Sequence, residues 1–259
     1  MKQSEFKLPP EYQEIPQFFD AHNSDEDTAR KNSVIELLLK KNGAQNVLDM
    51  TCGTGSQVFF LTKKGYKVTG SDFSPDLLNI ARDKAKKAKL DIQFLDGDMR
   101  TLQLGKFDAV ITIFNAIGHL TKSNFEKALR NINSNLKKGG IYIFDIFNLE
   151  AMTDAMVADL EMLTQKKVGN TQLHLSQFST LDKQKGLLTS YNTYSMQKGV
   201  TKPKVFQSQF TLQIYTVEDL KNRLYDNGFE VIHIFGMDGE KFDPTKTQSI
   251  LTVAKKISD

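Results

Sequence analysis

The chain of 259 residues has one cysteine, Cys52, so no disulfide can close within it, which suits a reducing compartment. It has no apolar run near the roughly eighteen residues that a membrane span requires. Residues 1–23 carry Lys2, Glu5, Pro9, Pro10 and Glu11 where a signal peptide would need an apolar core, and a cytoplasmic location is expected. Neither charge dominates, since 34 basic and 31 acidic residues leave +3. The densest basic cluster, Lys84, Lys86, Lys87 and Lys89, falls on an expected helix and reads as a solvated face, so no nucleic-acid partner is expected. His22, His174 and His233 are isolated and lack metal-ligand spacing, and Asp145 with Asn148 makes a poor donor set; no metal is expected. Repeats and low-complexity segments are missing too. What remains, with 39% apolar residues, is enough to bury a full core.

The most informative stretch is Val47-Leu48-Asp49-Met50-Thr51-Cys52-Gly53-Thr54-Gly55, followed by an acid, Asp72, seventeen positions beyond Gly55. Residues 46–50 suit a buried parallel strand, and Gly53 and Gly55 allow a tight bend against a ligand. A helix starting near Gly55 would turn unpaired N–H groups and a positive dipole end toward a phosphate or a carboxylate. Residues 66–71 read as a second strand ending at Asp72, where an acid can accept both hydroxyls of a ribose. Ser74 and Pro75 already supply the cap of the next helix, which leaves Asp72 for a ligand. Asp49 decides between cofactors: an acid before the glycine turn repels a pyrophosphate and attracts an ammonium. Val58 also stands where a dinucleotide fingerprint needs Gly or Ala.

Helices are expected at 25–41, capped by Asn23 or Ser24, and at 56–64, 75–89 and 123–136, alternating with strands at 46–50, 66–71, 91–95, 107–114 and 141–147. This alternation predicts an α/β fold with a doubly wound, mostly parallel, Rossmann-like seven-stranded sheet. Ligands in such sheets lie outside the carboxyl ends of the strands, where Gly53, Asp72, Asp98 and Asn115 would converge. After a connecting helix at 150–163, three polar-apolar alternations around 171–181, 187–197 and 205–215 predict an inserted antiparallel β meander. Thr216 caps a helix to Asn227, and 229–235 and 247–254 complete the main sheet. The division expected is an N-terminal segment, 1–23, near the substrate; a Rossmann-like domain, 24–149 and 216–259; and a substrate-covering insertion, 150–215.

The run VLDMTCGTG resembles motif I of the class I S-adenosylmethionine-dependent methyltransferases. Val68 to Leu78 resembles that family's ribose-binding strand end, Phe94 to Arg100 its adenine-binding turn, Phe107 to Asn115 its fourth strand, and Leu136 to Asp145 its fifth. Five motifs in order cover about residues 30–148. The resemblance implies that Asp49 and the Gly53 and Gly55 backbone hold the methionine part, with Cys52 in the same turn. It gives Asp72 the ribose, Asp98 the adenine amino group and Met99 the ring face, with Phe73 flanking the adenine and Phe114 and Asn115 at the fourth strand tip.

In such enzymes the protein chiefly aligns a nucleophile and excludes water, and an insertion would roof the substrate. His119, beyond the fourth strand in Ile117-Gly118-His119-Leu120, is the catalytic candidate because imidazole titrates near neutrality. That loop, and the region 211–228, resemble amino-sugar N,N-dimethyltransferases, although Phe18-Phe19-Asp20 stands where those enzymes tend to carry Tyr-Asp. Tyr12, Tyr191 and Tyr194 fit packing better than a substrate pocket. Cytosine C5 chemistry would need a cysteine nucleophile outside the cofactor turn, and exocyclic-amine methylation of bases an Asn-Pro-Pro-Tyr loop. Methyl transfer to a small-molecule acceptor, an amine nitrogen favoured, is the expected function. A nucleotide-dependent oxidoreductase and a non-catalytic S-adenosylmethionine-binding domain stay open as alternatives, and the oligomeric state is left open.

Overall fold

A computed structural model describes residues 6–22 and 25–257. Helix α1 (Asp25–Lys41) leads into a run of alternating elements: β1 (Asn46–Asp49), α2 (Ser56–Lys63), β2 (Lys67–Asp72), α3 (Pro75–Ala88) and β3 (Gln93–Asp96). The second half of the core follows as β4 (Phe107–Thr112), α4 (Lys122–Asn135) and β5 (Leu136–Phe147), closed by α6 (Val217–Asp226), β10 (Phe229–Phe235) and β11 (Ser249–Lys256). Between them lie α5 (Asp154–Ala158), β6 (Met162–Val168), β7 (Thr171–Asp182), β8 (Leu187–Lys198) and β9 (Lys204–Gln213). The expected caps of α3 and α6 are formed, and α4 has one of the same kind: Ser74, Thr216 and Thr121 each accept a backbone N–H three residues on, worth ~1 kcal/mol apiece. The Asn23 or Ser24 cap of α1 lies outside the described residues.

The main sheet has seven strands in the order β10-β11-β5-β4-β1-β2-β3. β1 pairs in parallel with β2 and β4, β2 with β3 and β4 with β5, while β11 runs antiparallel to both neighbours. The chain leaves β1 toward β3 and returns to β4 on the other side of β1, so the carboxyl ends of β1 and β4 flank the switch point where such sheets open a crevice. Helices cover both faces. Ile35, Leu39, Val58, Leu61 and Leu78 pack on one, and Phe125, Leu129, Ile132, Leu220 and Leu224 on the other. The mid-strand residues Val47, Leu48, Ala109, Val110 and Ile143 are fully buried.

Three sequence expectations are corrected. The connecting helix at 150–163 shrinks to the five residues of α5, because Met162 onward joins β7 as an extra antiparallel strand, pairing Met162 with Gln177 and Val168 with Thr171. Gly169, at φ 58°, and Asn170 form the two-residue turn that joins the two strands into a hairpin. The meander therefore has four strands and forms its own sheet, β6-β7-β8-β9, rather than extending the main one. β4 stops at Thr112, two residues short, because Phe114 and Asn115 take left-handed backbone angles, φ 64° and 58°. The N-terminal segment is seated on the four-stranded sheet by a third core, in which Ile15 and Phe18 pack with Leu173, Leu175 and Tyr194. Among the described residues, no helix is long and apolar enough to cross a membrane.

Candidate active site

The turn after β1 is shaped by its two glycines. Gly55, at φ +93°, precedes α2, and a Cβ there would lie 2.7 Å from the Phe59 ring. Gly53, at φ +52°, would push a Cβ to 2.9 Å from Phe19. Its N–H donates to Asp72 Oδ2 at 2.9 Å, and Ser74 N–H donates to Oδ1, also at 2.9 Å. Asp72 is thus held by backbone donors at the tip of β2. Burial raises its pKa to about 6, although these amides favour the ionised form.

Asp49, at the tip of β1, is 2% exposed. Its Oδ1 accepts from Thr51 N–H at 3.2 Å, whereas Oδ2 is buried with no hydrogen-bond partner. Burial lifts its pKa to about 8; the Thr51 amide opposes the rise and the nearby Asp72 charge adds to it. A buried carboxylate oxygen with nothing to accept from is costly unless a donor arrives, and a cationic donor fits best.

A cleft of about 1790 Å3 opens along these strand ends, larger than the ~300–1,000 Å3 of a pocket for one drug-sized ligand. Seven of the expected site residues line it: Cys52, Asp72, Phe73, Asp98, Met99, Phe114 and His119. Asp49, Gly53, Gly55 and Asn115 stand just behind that surface, next to lining residues Met50, Thr51, Thr54 and Ala116. Cys52 is buried, and burial pushes its thiol up, so it is no thiolate nucleophile. Asp98 is gripped by Arg100, whose Nε lies 2.9 Å from both carboxylate oxygens. Partial burial opposes ionisation, but the Arg100 bonds prevail and hold Asp98 below the usual carboxylate range. Met99 packs against the core under the cleft, and its carbonyl accepts from Asn131 at 3.0 Å.

Two consecutive non-glycine residues in the left-handed region, Phe114 and Asn115, cost ~1–3 kcal/mol each. The main-chain N–H of Asn115 faces both oxygens of buried Asp145 at 3.3 Å, which fixes the bend. The bend delivers the short 3-10 turn Ala116–His119 to the cleft. Asp145 is committed there, and Asn148 Nδ2 donates to the Pro244 and Thr247 carbonyls.

His119 lies beside Tyr12, with Nε2 and the Tyr12 hydroxyl 3.3 Å apart and the rings edge-on at 5.4 Å. Its Nδ1 is buried without a partner. Burial lowers its pKa to about 4, which corrects the expectation of an imidazole titrating near neutrality: His119 is neutral at pH 7. The same burial keeps Tyr12 a phenol.

The N-terminal segment borders the cleft through contacts that sequence reasoning did not name. Tyr12 does line the cleft, stacked on Phe73 at 5.7 Å and edge-on to Phe19 at 5.3 Å, rather than merely packing. Its carbonyl accepts from the Ser74 hydroxyl. Asp20 accepts from Thr54 Oγ1 at 2.6 Å and pairs with Lys84 at 2.8 Å, so Lys84 belongs to the cleft wall rather than to a free solvated face. Phe18-Phe19-Asp20 was the one available signal. Tyr194 is buried and donates to Glu11 at 3.1 Å, while Tyr191 stacks on Phe178 at 5.0 Å on the sheet.

Comparison with known proteins follows the same lines. Residues 47–140 match the model of a family described as a methyltransferase domain. A putative methyltransferase of Bacillus subtilis, YqeM, is 34% identical over 132 residues, 48% of this chain and 52% of that protein. The dTDP-3-amino-3,4,6-trideoxy-alpha-D-glucopyranose N,N-dimethyltransferase of Streptomyces venezuelae is 34% identical over 104 residues, 39% of this chain and 42% of that protein. In these matches the chain spans about half or less of the relative's length. The solved sugar N-methyltransferase KedS8 of Streptoalloteichus superposes with a TM-score of 0.77 over 100% of this chain and 96% of that one, at 17% identity, a likeness of fold. Residues 47–140 thus match a methyltransferase domain, in a chain that shares the fold of solved S-adenosylmethionine-dependent methyltransferases.

Proposed function

We propose that the protein transfers a methyl group from S-adenosylmethionine to a small-molecule acceptor, an amine nitrogen. The carrying observation is the pair of buried strand-tip carboxylates: Asp49 with an oxygen lacking any donor, and Asp72 presented by the Gly53 amide, both beside one cleft. An ammonium answers the first and a vicinal diol the second, and one ligand carrying both is a nucleoside that bears an amino acid. Asp98, kept ionised by Arg100, accepts from the adenine amino group while Met99 packs on the ring. Cys52, Phe73, Phe114 and Asn115 complete the cofactor wall. When bound, S-adenosylmethionine supplies a methyl group made electrophilic by its sulfonium.

The remaining work is positioning and exclusion of water. The clasp of Tyr12 and Phe19 and the sheet above it cover the cleft, and holding an acceptor in line lowers a barrier by as much as ~7–11 kcal/mol. Neutral His119 and the Tyr12 hydroxyl provide an uncharged hydrogen-bonding pair beside the acceptor. Such a pair favours the free base of an amine over its ammonium, and only the free base carries the lone pair that attacks. At a pKa of about 4 His119 is too weak a base to hold the proton, so it orients the nitrogen and the proton leaves to solvent.

The amine reading is supported by this neutral pair and by the N-methyltransferases among the similar proteins. The test is an incubation with methyl-deuterated S-adenosylmethionine and a pooled library of primary amines, carboxylic acids and phenols, read by mass spectrometry. Label appearing on amines supports the reading; label confined to oxygen or carbon acceptors, or to none while the cofactor binds, contradicts it.

A further inference from the structure

The four-stranded sheet turns one face toward the cleft, and its cross-strand rows alternate in character. Leu175, Tyr194 and Phe206 form one apolar row, and Leu181, Leu188 and Leu212 another. Between them lie two rows of a different kind: Gln177, Asn192 and Ser208, then Ser179, Ser190 and Phe210. Ser179 and Ser190 satisfy each other at 3.0 Å, and Gln177 donates to the Leu160 carbonyl at 3.3 Å. Asn192 does not share in this. It is 3% exposed, and neither its Nδ2 nor its Oδ1 has a hydrogen-bond partner.

An amide buried with both ends unsatisfied is expensive, and folding alone gives no reason to put it there. Its surroundings supply one. Ser208, directly across the strand pair, lines the cleft with Phe206. Phe210, in the next row, has its ring 6.1 Å from that of His119, and Tyr194 reaches Glu11, next to Tyr12 in the chain. The polar rows therefore lie beside the His119 and Tyr12 pair, with Ser208 on the cleft wall and Asn192 next to it in the same row. The charged groups nearby are Glu11, which accepts from Tyr194, and Lys204 of β9, whose Nζ lies 5.9 Å from the Phe206 ring, while Lys7, Arg100 and Lys127 line the cleft.

We infer that Asn192, with Ser208, is a specificity site for the acceptor and receives a neutral hydroxyl group carried near the methylated nitrogen. A hydroxyl answers both ends of the amide at once, accepting from Nδ2 and donating to Oδ1. A carboxylate can only accept, so it would leave Oδ1 without a donor. Asn192 acts by positioning and selecting the acceptor; it has no share in cofactor binding. The inference rests on the methyl-transfer reading of the same cleft.

The test uses a matched pair of probes, cyclohexylamine and 2-aminocyclohexanol, titrated into the full chain saturated with S-adenosylhomocysteine. Three proteins are compared: wild type, Asn192→Leu, close in volume and apolar, and Ser208→Ala, which keeps the site readable should the first variant fold poorly. The wild type is expected to prefer the hydroxylated probe by about fivefold, the scale of a neutral hydrogen bond. Asn192→Leu should lose that preference, Ser208→Ala should reduce it, and the side-chain amide NMR signals of Asn192 should move with the hydroxylated probe alone. Asn192→Leu should also melt higher than wild type, since it removes an unpaired buried amide. Equal probe preference in wild type and both variants, or Asn192 amide signals that stay still, overturns the assignment while leaving methyl transfer intact. Failure of the wild type to bind S-adenosylhomocysteine overturns the underlying reading and this one with it.

Discussion

In the main sheet the mid-strand residues of β1 and β4 are buried on both faces, whereas β7 buries two residues of twelve and shows alternate ones to solvent. Each sheet holds polar side chains that are satisfied and others with an unpaired atom, Asp49 among the latter on the main sheet. On the main sheet Asp72 has each carboxylate oxygen met by a backbone N–H, and Asp145 anchors the Asn115 amide. On the smaller sheet Asn192 has no partner, and Leu163 and Phe178 are 82% and 56% exposed. The first region is preorganised for one ligand by its own main chain. The second holds its shape by strand pairing, so its side chains can be set for an acceptor without disturbing the floor beneath.

The sharpest way to break that comparison is at Asp72. Asp72→Ala removes the acceptor for Gly53 and Ser74 together with the proposed ribose contact, and S-adenosylhomocysteine binding should weaken by about 1.5–3 kcal/mol by calorimetry. An unchanged affinity would mean that the floor is not tuned to the cofactor. Next in size is the seam between the two regions. Tyr12→Phe and His119→Ala should each lower turnover by ~10–100-fold, as misplacement of an acceptor does. Both should leave S-adenosylhomocysteine affinity nearly unchanged, and a loss of affinity equal to the loss of turnover would reassign the pair to the cofactor.

A smaller effect concerns pH. Asp49 titrates near pH 8 in the folded chain against an ordinary value of 3.8, so the folded state holds more protons between those limits. Its contribution to stability is therefore lost as pH rises from about 4 toward 8. Asp49→Asn should flatten this slope and raise the melting temperature at pH 8, by ~2–4 °C per kcal/mol gained, while weakening cofactor binding. A melting curve that responds to pH as wild type does would exclude Asp49 as the source. The smallest expected change is on the outer sheet surface, where Leu163→Ser should alter stability by no more than ~0.5 kcal/mol and leave cofactor affinity untouched.

How much of this was legible in the chain also divides by region. The order of strands and helices through β5, the Ser74 and Thr216 caps and the glycine turn follow from local chemistry that a sequence displays directly. Asp72 and Asp98 reach one cleft because parallel strands in such a sheet end on the same side. β6 had a local signal that the helix expectation overrode: Gly169-Asn170 is a two-residue hairpin turn that folds Met162–Val168 onto β7. Tyr12 was hidden because its contacts are non-local, Phe73 and His119 lying 61 and 107 positions away. The low pKa of His119 belongs to its burial, which residue type cannot disclose. Asn192 looked like any polar residue of an alternating strand until the cross-strand register put it on the buried face.

The central claim, that the buried Asp49 and Asp72 carboxylates receive a nucleoside that bears an amino acid, is tested most directly by calorimetry of the wild-type chain with S-adenosylhomocysteine at pH 7. Running it in two buffers of different ionisation enthalpy reads proton exchange at the same time. The account predicts binding accompanied by proton release, as Asp49 ionises against the incoming ammonium, and no binding of NAD under the same conditions. Binding of NAD with none of S-adenosylhomocysteine, or cofactor binding without proton release, would contradict it.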